Sequence, residues 1–103
     1  MTISLFWRIQ TDDFDSWLNP DPDGLAQMFQ PQGVLSYSLH RGTDDPNSVM
    51  VQMQFADRGA VDAFEAWYAT SKIEWLEQFP GTAHEIVERW LGHEVPGYTR
   101  RLG

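Results

Sequence analysis

The stretch from Ser48 to Phe55 reads SVMVQMQF, and its apolar and polar side chains alternate. Successive side chains of a β-strand point to opposite faces, so this period of two predicts a strand. One face then carries Val49, Val51, Met53 and Phe55, and the other carries Met50, Gln52 and Gln54. A dry face opposite a mixed face predicts a sheet strand that is covered on one side.

Three further segments, residues 2–10, 34–41 and 82–91, alternate in the same way and are also predicted strands. Segments with helical spacing of apolar residues follow the first strand and precede the last one. The resulting order, β-α-β-β-α-β, predicts an α+β, ferredoxin-like fold, with a four-stranded antiparallel sheet and helices on one face. A length of 103 residues fits one such domain, so residues 1–103 are predicted to form a single domain.

Local signals set the predicted ends of the helices. Asp12 or Asp13 suits the N-cap of the first helix, and Asp57 suits that of the second. The stretch 19–24 contains two prolines and interrupts the first helix, because proline lacks a backbone N–H. Pro80-Gly81 is predicted to end the second helix.

Charge and composition exclude several classes of partner. The formal net charge is −8, and such a surface repels nucleic-acid phosphates and anionic membranes. No apolar run is long enough to span a membrane, so the expected location is the cytoplasm. The sequence contains no cysteine, which excludes disulfides and thiolate nucleophiles.

No metal site is expected. Residues 19–24, NPDPDG, imitate the first half of a calcium-binding loop, but Gln30 stands where the loop needs a bidentate carboxylate. His84 and Glu88 would lie about 13 Å apart along one strand, too far to share an ion.

The second face of the predicted sheet carries several apolar side chains among polar ones: Phe6, Val34, Met50, Ile86 and Trp90. An apolar patch of this kind is unfavourable in water and marks an interaction surface. The pattern therefore predicts a homodimer in which two sheets pack face to face.

Aromatic residues make up 14% of the chain, with five tryptophans. Buried tryptophan needs a partner for its indole N–H, so this content indicates a ligand pocket or an interface as well as a core. The alternative is that the rings only fill the core. For proton transfer the sequence offers Tyr37, His40, Tyr68 and His84, together with acids such as Glu65 or Glu85.

Three stretches carry a family resemblance: FDSW at 14–17, LHRGTDDPN at 39–47 and VMVQMQFAD at 49–57. They resemble the helix start, hairpin, core strand and helix cap of the dimeric α/β-barrel superfamily, which includes antibiotic-biosynthesis-monooxygenase-like proteins. The resemblance implies a ferredoxin-like fold and a homodimer. These motifs serve the fold more than an activity, and the superfamily hosts several activities.

The resemblance also implies a function. Similar proteins hold a flat apolar molecule between sheet and helices, which makes Trp7, Trp17, Trp67 and Tyr68 the expected ligand-binding residues. A cofactor-independent monooxygenase or cyclase would then use His40 or Tyr37 to handle a proton. The alternative is a non-enzymatic homodimeric ligand-binding or accessory module. No cofactor is expected under either interpretation.

Overall fold

The computed structural model describes residues 2–18, 22–78 and 84–103, and it confirms the predicted α+β, ferredoxin-like fold. The strands are β1 (Ile3–Thr11), β2 (Ser36–Arg41), β3 (Ser48–Phe55) and β4 (His84–Gly92). The helices are α1 (Phe14–Trp17), α2 (Pro22–Phe29) and α3 (Arg58–Gln78), and a 3-10 turn (Gln30–Gln32) follows α2. All neighbouring strands are antiparallel, in the order β2-β3-β1-β4.

The first helical segment is divided, as the prolines predicted, into α1 and α2. Residues 19–21, the first half of the calcium-loop pattern at 19–24, lie outside the described residues, and residues 22–24 form the start of α2. Residues 79–83, including the predicted helix end at Pro80-Gly81, also lie outside the described residues.

The core lies on the face of the sheet that packs against the helices, which we call the inner face. The central strands β1 and β3 present their apolar alternate residues there in register, with Leu5 opposite Met53 and Trp7 opposite Val51. Helix α3 adds Phe64, which is fully buried against these strands. The opposite face, called the outer face, carries the other half of each strand.

The β2–β3 hairpin is tied to the start of α1 by Asn47. Its side-chain oxygen accepts a hydrogen bond from the Phe14 backbone N–H at 3.0 Å, and its side-chain nitrogen donates to the Asp12 carbonyl at 3.2 Å. Asp13 caps α1 by accepting from the Asp15 N–H at 3.2 Å. The hairpin also needs glycine at position 42, because a Cβ there would lie 2.5 Å from the Asp45 carbonyl oxygen.

Strand β4 contains an irregularity that shifts its register against β1. Arg8 pairs with Glu88, but the next residue, Ile9, pairs with Ile86, so Val87 is an extra residue on β4. Such a β-bulge interrupts the alternation, and side chains on its two sides follow different phases.

The bulge overturns part of the predicted outer face. Ile86 lies on the inner face against the core, and His84 lies there too, opposite the buried Thr11. Val34 was also predicted on the outer face, yet it is buried in the core, because β2 begins only at Ser36 and Val34 lies in the irregular segment before it. The apolar patch that remains on the outer face consists of Phe6, Met50 and Trp90.

Candidate functional site

A cavity of about 130 Å³ lies between the inner face of the sheet and the helices. An engineered cavity of about 150 Å³ with apolar walls holds benzene, so this volume is on the scale of one aromatic ring. Its walls come from all four strands and all three helices. The lining residues are Trp7, Ile9, Trp17, Leu18, Leu25, Met28, Phe29, Leu39, Val51, Met53, Trp67, Tyr68, Ser71, Lys72 and His84.

All four residues predicted to bind a ligand, Trp7, Trp17, Trp67 and Tyr68, line this cavity. The Trp7 and Tyr68 ring centroids lie 4.7 Å apart, with the rings tilted. Phe64 lies behind them and stacks on both Trp7 and Trp67, each at 5.6 Å. The aromatic residues therefore do two things at once, because their inner parts pack the core while their remaining surface bounds an open space.

The two residues predicted to handle a proton are not in the cavity wall. Tyr37 is on the inner face of β2, where it makes an edge contact with Phe29 at 5.3 Å and borders a neighbouring surface groove. His40 is exposed on the outer face, opposite Met50, and shares a 3.2 Å hydrogen bond with the Ser38 hydroxyl. The sheet itself therefore separates His40 from the cavity of its own chain.

A different pair of residues with groups suited to proton transfer, Tyr68 and His84, does line the cavity. The Tyr68 hydroxyl and His84 Nε2 form a hydrogen bond across the gap between α3 and β4, and both side chains line the cavity. The Trp17 ring meets the His84 imidazole edge-on at 6.0 Å. Regular alternation, which predicted Ile86 on the outer face, would also put His84 there, because it allows for no bulge at Val87. A signal existed, since the apolar residues Ile86 and Leu91 are an odd number of positions apart and cannot share a face on a regular strand.

Burial raises the pKa of the Tyr68 hydroxyl well above its ordinary value of about 10. The charged phenolate is disfavoured because the surrounding rings cannot solvate it. At neutral pH Tyr68 is therefore a neutral hydrogen-bond donor, and its proton can pass to His84 only if another proton replaces it.

Trp7 carries a second unusual polar atom. Its side chain is 4% exposed, and its Nε1 is the one buried side-chain nitrogen or oxygen in the described part of the chain that has no hydrogen-bond partner. Buried indole N–H groups normally have an acceptor, because leaving one without a partner costs about 1–3 kcal/mol.

The charge of the cavity wall is opposite in sign to that of the whole protein. Among its described lining residues, Lys72 and His84 are able to carry positive charge, and none is a carboxylate. Lys72 follows Tyr68 by one helical turn on α3, so both side chains lie on the same face. A protein with net charge −8 thus contains a cavity whose described lining residues include a lysine and no carboxylate.

Several solved structures share the fold of this chain. HapK from Hahella chejuensis is 23% identical, with a TM-score of 0.60 over 98% of this chain and 99% of that one. A dimeric ferredoxin-like protein from an uncultured marine organism is 14% identical, with a TM-score of 0.62 over 91% and 98%. A proposed antibiotic biosynthesis monooxygenase from Deinococcus radiodurans is 16% identical, with a TM-score of 0.56 over 100% of both chains.

These likenesses confirm the predicted resemblance at the level of the fold. The chain is a ferredoxin-like α+β protein, built on the same architecture as these three structures. No protein-family model and no curated protein matches the chain.

Two further properties concern only the described residues. None of their helices is both long and apolar enough to cross a membrane. Within 2–18, 22–78 and 84–103, no three His, Asp or Glu side chains converge as a metal site requires.

Proposed function

We propose that this protein binds a small, planar, apolar molecule in the cavity between the sheet and the helices. The observation that supports this is the cavity itself, which has a volume of about 130 Å³ and walls that include three tryptophans and a tyrosine. Binding sites for small molecules are concave and mostly apolar, with a few placed polar groups. The volume favours a single-ring compound over a fused polycyclic one.

The bound molecule undergoes proton transfer in this proposal, as a cofactor-independent monooxygenase or cyclase requires in its first step. Tyr68 and His84 would serve as the relay in place of His40 and Tyr37. The Tyr68 oxygen accepts a proton from the substrate while the Tyr68 hydroxyl proton passes to His84 Nε2. The step leaves a substrate anion, a neutral Tyr68 and a protonated His84, so charge and protons balance. Lys72, also in the wall, would stabilise the anion.

We also propose a homodimer formed through the outer face. Phe6 and Trp90 pack together there at 5.4 Å between ring centroids, although Trp90 is 61% exposed. Met50 is 37% exposed on the same face. A solved structure with the same fold is described as dimeric, which supports the proposal. Sedimentation of the wild type and of Trp90→Ser tests it: we expect a dimer and a weakened dimer, whereas a monomeric wild type contradicts it.

Binding can be tested without knowledge of the natural ligand. Calorimetry measures the binding of toluene as it is titrated into the protein, and the wild type should bind it. Leu39→Phe fills the cavity from β2 and should abolish binding, because Leu39 is part of the wall. The matched control is Leu35→Phe, since Leu35 is 61% exposed and is not part of this wall. Equal binding by both variants, or none by the wild type, would contradict the proposal.

Proton transfer needs a separate measurement. Phenylacetone exchanges its acidic C–H hydrogens with D2O, and mass spectrometry follows that exchange. The wild type should accelerate it, whereas His84→Gln and Tyr68→Phe should not. Toluene binding without any acceleration by the wild type would favour the alternative, a non-enzymatic ligand-binding module.

A further inference from the structure

The indole nitrogen of Trp7 is a donor that the protein leaves without an acceptor. In native proteins nearly all buried polar groups are hydrogen-bonded, and each exception requires an explanation. Trp7 is on the central strand β1 with 4% of its surface exposed, so bulk water has almost no access to it from outside. No side chain or carbonyl within the described residues accepts from Nε1.

Trp7 lines the cavity, so the cavity is the open space from which an acceptor would approach this nitrogen. Phe64 stacks on the Trp7 ring at 5.6 Å, and Tyr68 covers it at 4.7 Å. Val51 and Arg89 flank it on the two neighbouring strands. The open space that the side chain borders is the cavity of about 130 Å³.

The other polar groups of the wall complement the same kind of ligand. Tyr68 supplies a hydroxyl, Ser71 another, and Lys72 an ammonium group, and the described lining residues include no carboxylate. Lys72 and the Trp7 indole N–H can only donate, whereas each hydroxyl both donates and accepts. A ligand that brings only donors or only C–H groups leaves these two donor-only groups without a partner, while a ligand that brings an oxygen acceptor supplies one.

We propose that the ligand is an aromatic carbonyl compound of one ring, whose oxygen accepts a hydrogen bond from the Trp7 indole N–H. This inference rests on the proposed function, since it concerns the molecule in the same cavity. It adds the chemical class: the ring supplies apolar contact with the wall, and the carbonyl oxygen supplies the acceptor that Trp7 lacks.

The test compares two ligands of the same shape, acetophenone and α-methylstyrene, which differ in having a carbonyl oxygen or a methylene group at one position. The wild type should bind the ketone about fivefold more tightly, which is the effect of one additional hydrogen bond. Trp7→Phe keeps an aromatic ring but removes the donor, so it should bind the two ligands equally. Trp67→Phe is the matched control, because Trp67 lines the same cavity and its nitrogen is not a buried atom without a partner. It should keep the preference.

A second measurement uses the wild type alone and does not depend on whether Trp7→Phe folds. In ¹⁵N-labelled protein the five tryptophans give five indole N–H signals. Acetophenone should move the Trp7 signal downfield, as a new acceptor does, and α-methylstyrene should not.

The outcomes separate this inference from the function on which it rests. If neither ligand binds, the proposed function fails. If both bind with equal affinity and the Trp7 signal does not respond to the ketone, the cavity is a binding site but the inference is wrong. It is also wrong if Trp7→Phe keeps the preference and Tyr68→Phe loses it, because the ketone oxygen would then accept its hydrogen bond from Tyr68 and not from Trp7.

Discussion

The two faces of the sheet use the same backbone in opposite ways. On the inner face, Leu5 and Val49 are fully buried, and helix α3 closes over them. On the outer face, cross-strand contacts are mostly polar, such as the 3.0 Å bond from the Ser36 hydroxyl to the Gln54 side-chain oxygen. Each face also contains one exception to its character: polar groups in the apolar cavity, and the Phe6–Met50–Trp90 patch among the polar residues.

The exceptions on the two faces indicate where functional residues lie. An apolar residue on the inner face or a polar residue on the outer face is explained by solvent alone. The exceptions are not explained by solvent. Trp7 Nε1 and the Tyr68–His84 pair place polar groups where burial is costly, and Trp90 places an indole where water surrounds it.

The sharpest contrast between the faces should be in stability. Phe64→Ala removes a fully buried ring that contacts Trp7, Phe29, Phe55 and Trp67, and we expect a loss of about 3–5 kcal/mol in the free energy of unfolding. Met50→Ala on the outer face should cost about 1 kcal/mol or less in the monomer. Urea unfolding measures both losses in the Trp90→Ser background, in which the proposed dimer is weakened. Equal losses for the two variants would mean that the inner face is not the main core.

A smaller effect should appear at high pH. The pKa of Tyr68 is raised in the folded protein, so above pH 10 the unfolded chain loses this proton while the folded chain keeps it. Stability from this group is complete below pH 10 and falls as the pH rises further, by roughly 1 kcal/mol at pH 11. Tyr68→Phe should remove this part of the pH dependence.

The control for that experiment is Tyr98→Phe, because Tyr98 is 84% exposed. Its unfolding free energy should follow the wild type between pH 9 and pH 11. If Tyr68→Phe also follows the wild type, the hydroxyl is not held in its neutral form by burial.

The smallest contrast concerns two ion pairs. Arg89 bonds Glu65 of α3 through two nitrogens, at 2.5 and 2.7 Å, and this hydrogen bond raises the pKa of Arg89. Arg8 meets Glu88 on the outer face at 3.0 Å, where Glu88 is 67% exposed. Glu65→Gln should cost about 1 kcal/mol, and Glu88→Gln less than about 0.5 kcal/mol. A larger loss for Glu88→Gln would reverse the comparison.

The fold could be predicted from the sequence because its central elements are regular. The alternation in Ser48–Phe55 predicted a strand and the helical spacing before the last strand predicted α3, and both were confirmed. The prolines that follow α1 also correctly predicted that the first helical segment is divided. The family resemblance implied Trp7, Trp17, Trp67 and Tyr68 as ligand-binding residues, and all four line the cavity.

The rest could not be predicted, for physical reasons. Rings that fill a core and rings that line a cavity obey the same periodicity, since the difference is a volume and not a pattern. His40 follows the alternation of β2 and lies on the outer face, so the sheet separates it from the cavity of its own chain. The face on which His84 lies depends on the bulge at Val87, and regular alternation does not predict a bulge.

That single residue also governs how this chain should be compared with its relatives. Because Val87 is extra, every position from His84 to Ile86 is displaced by one relative to a chain whose last strand is regular. An alignment that places its gap in the preceding segment would match His84 to a residue on the wrong side of the sheet. A protein with a cavity histidine on a regular last strand would then appear to lack it, so the gap for such a comparison belongs inside β4.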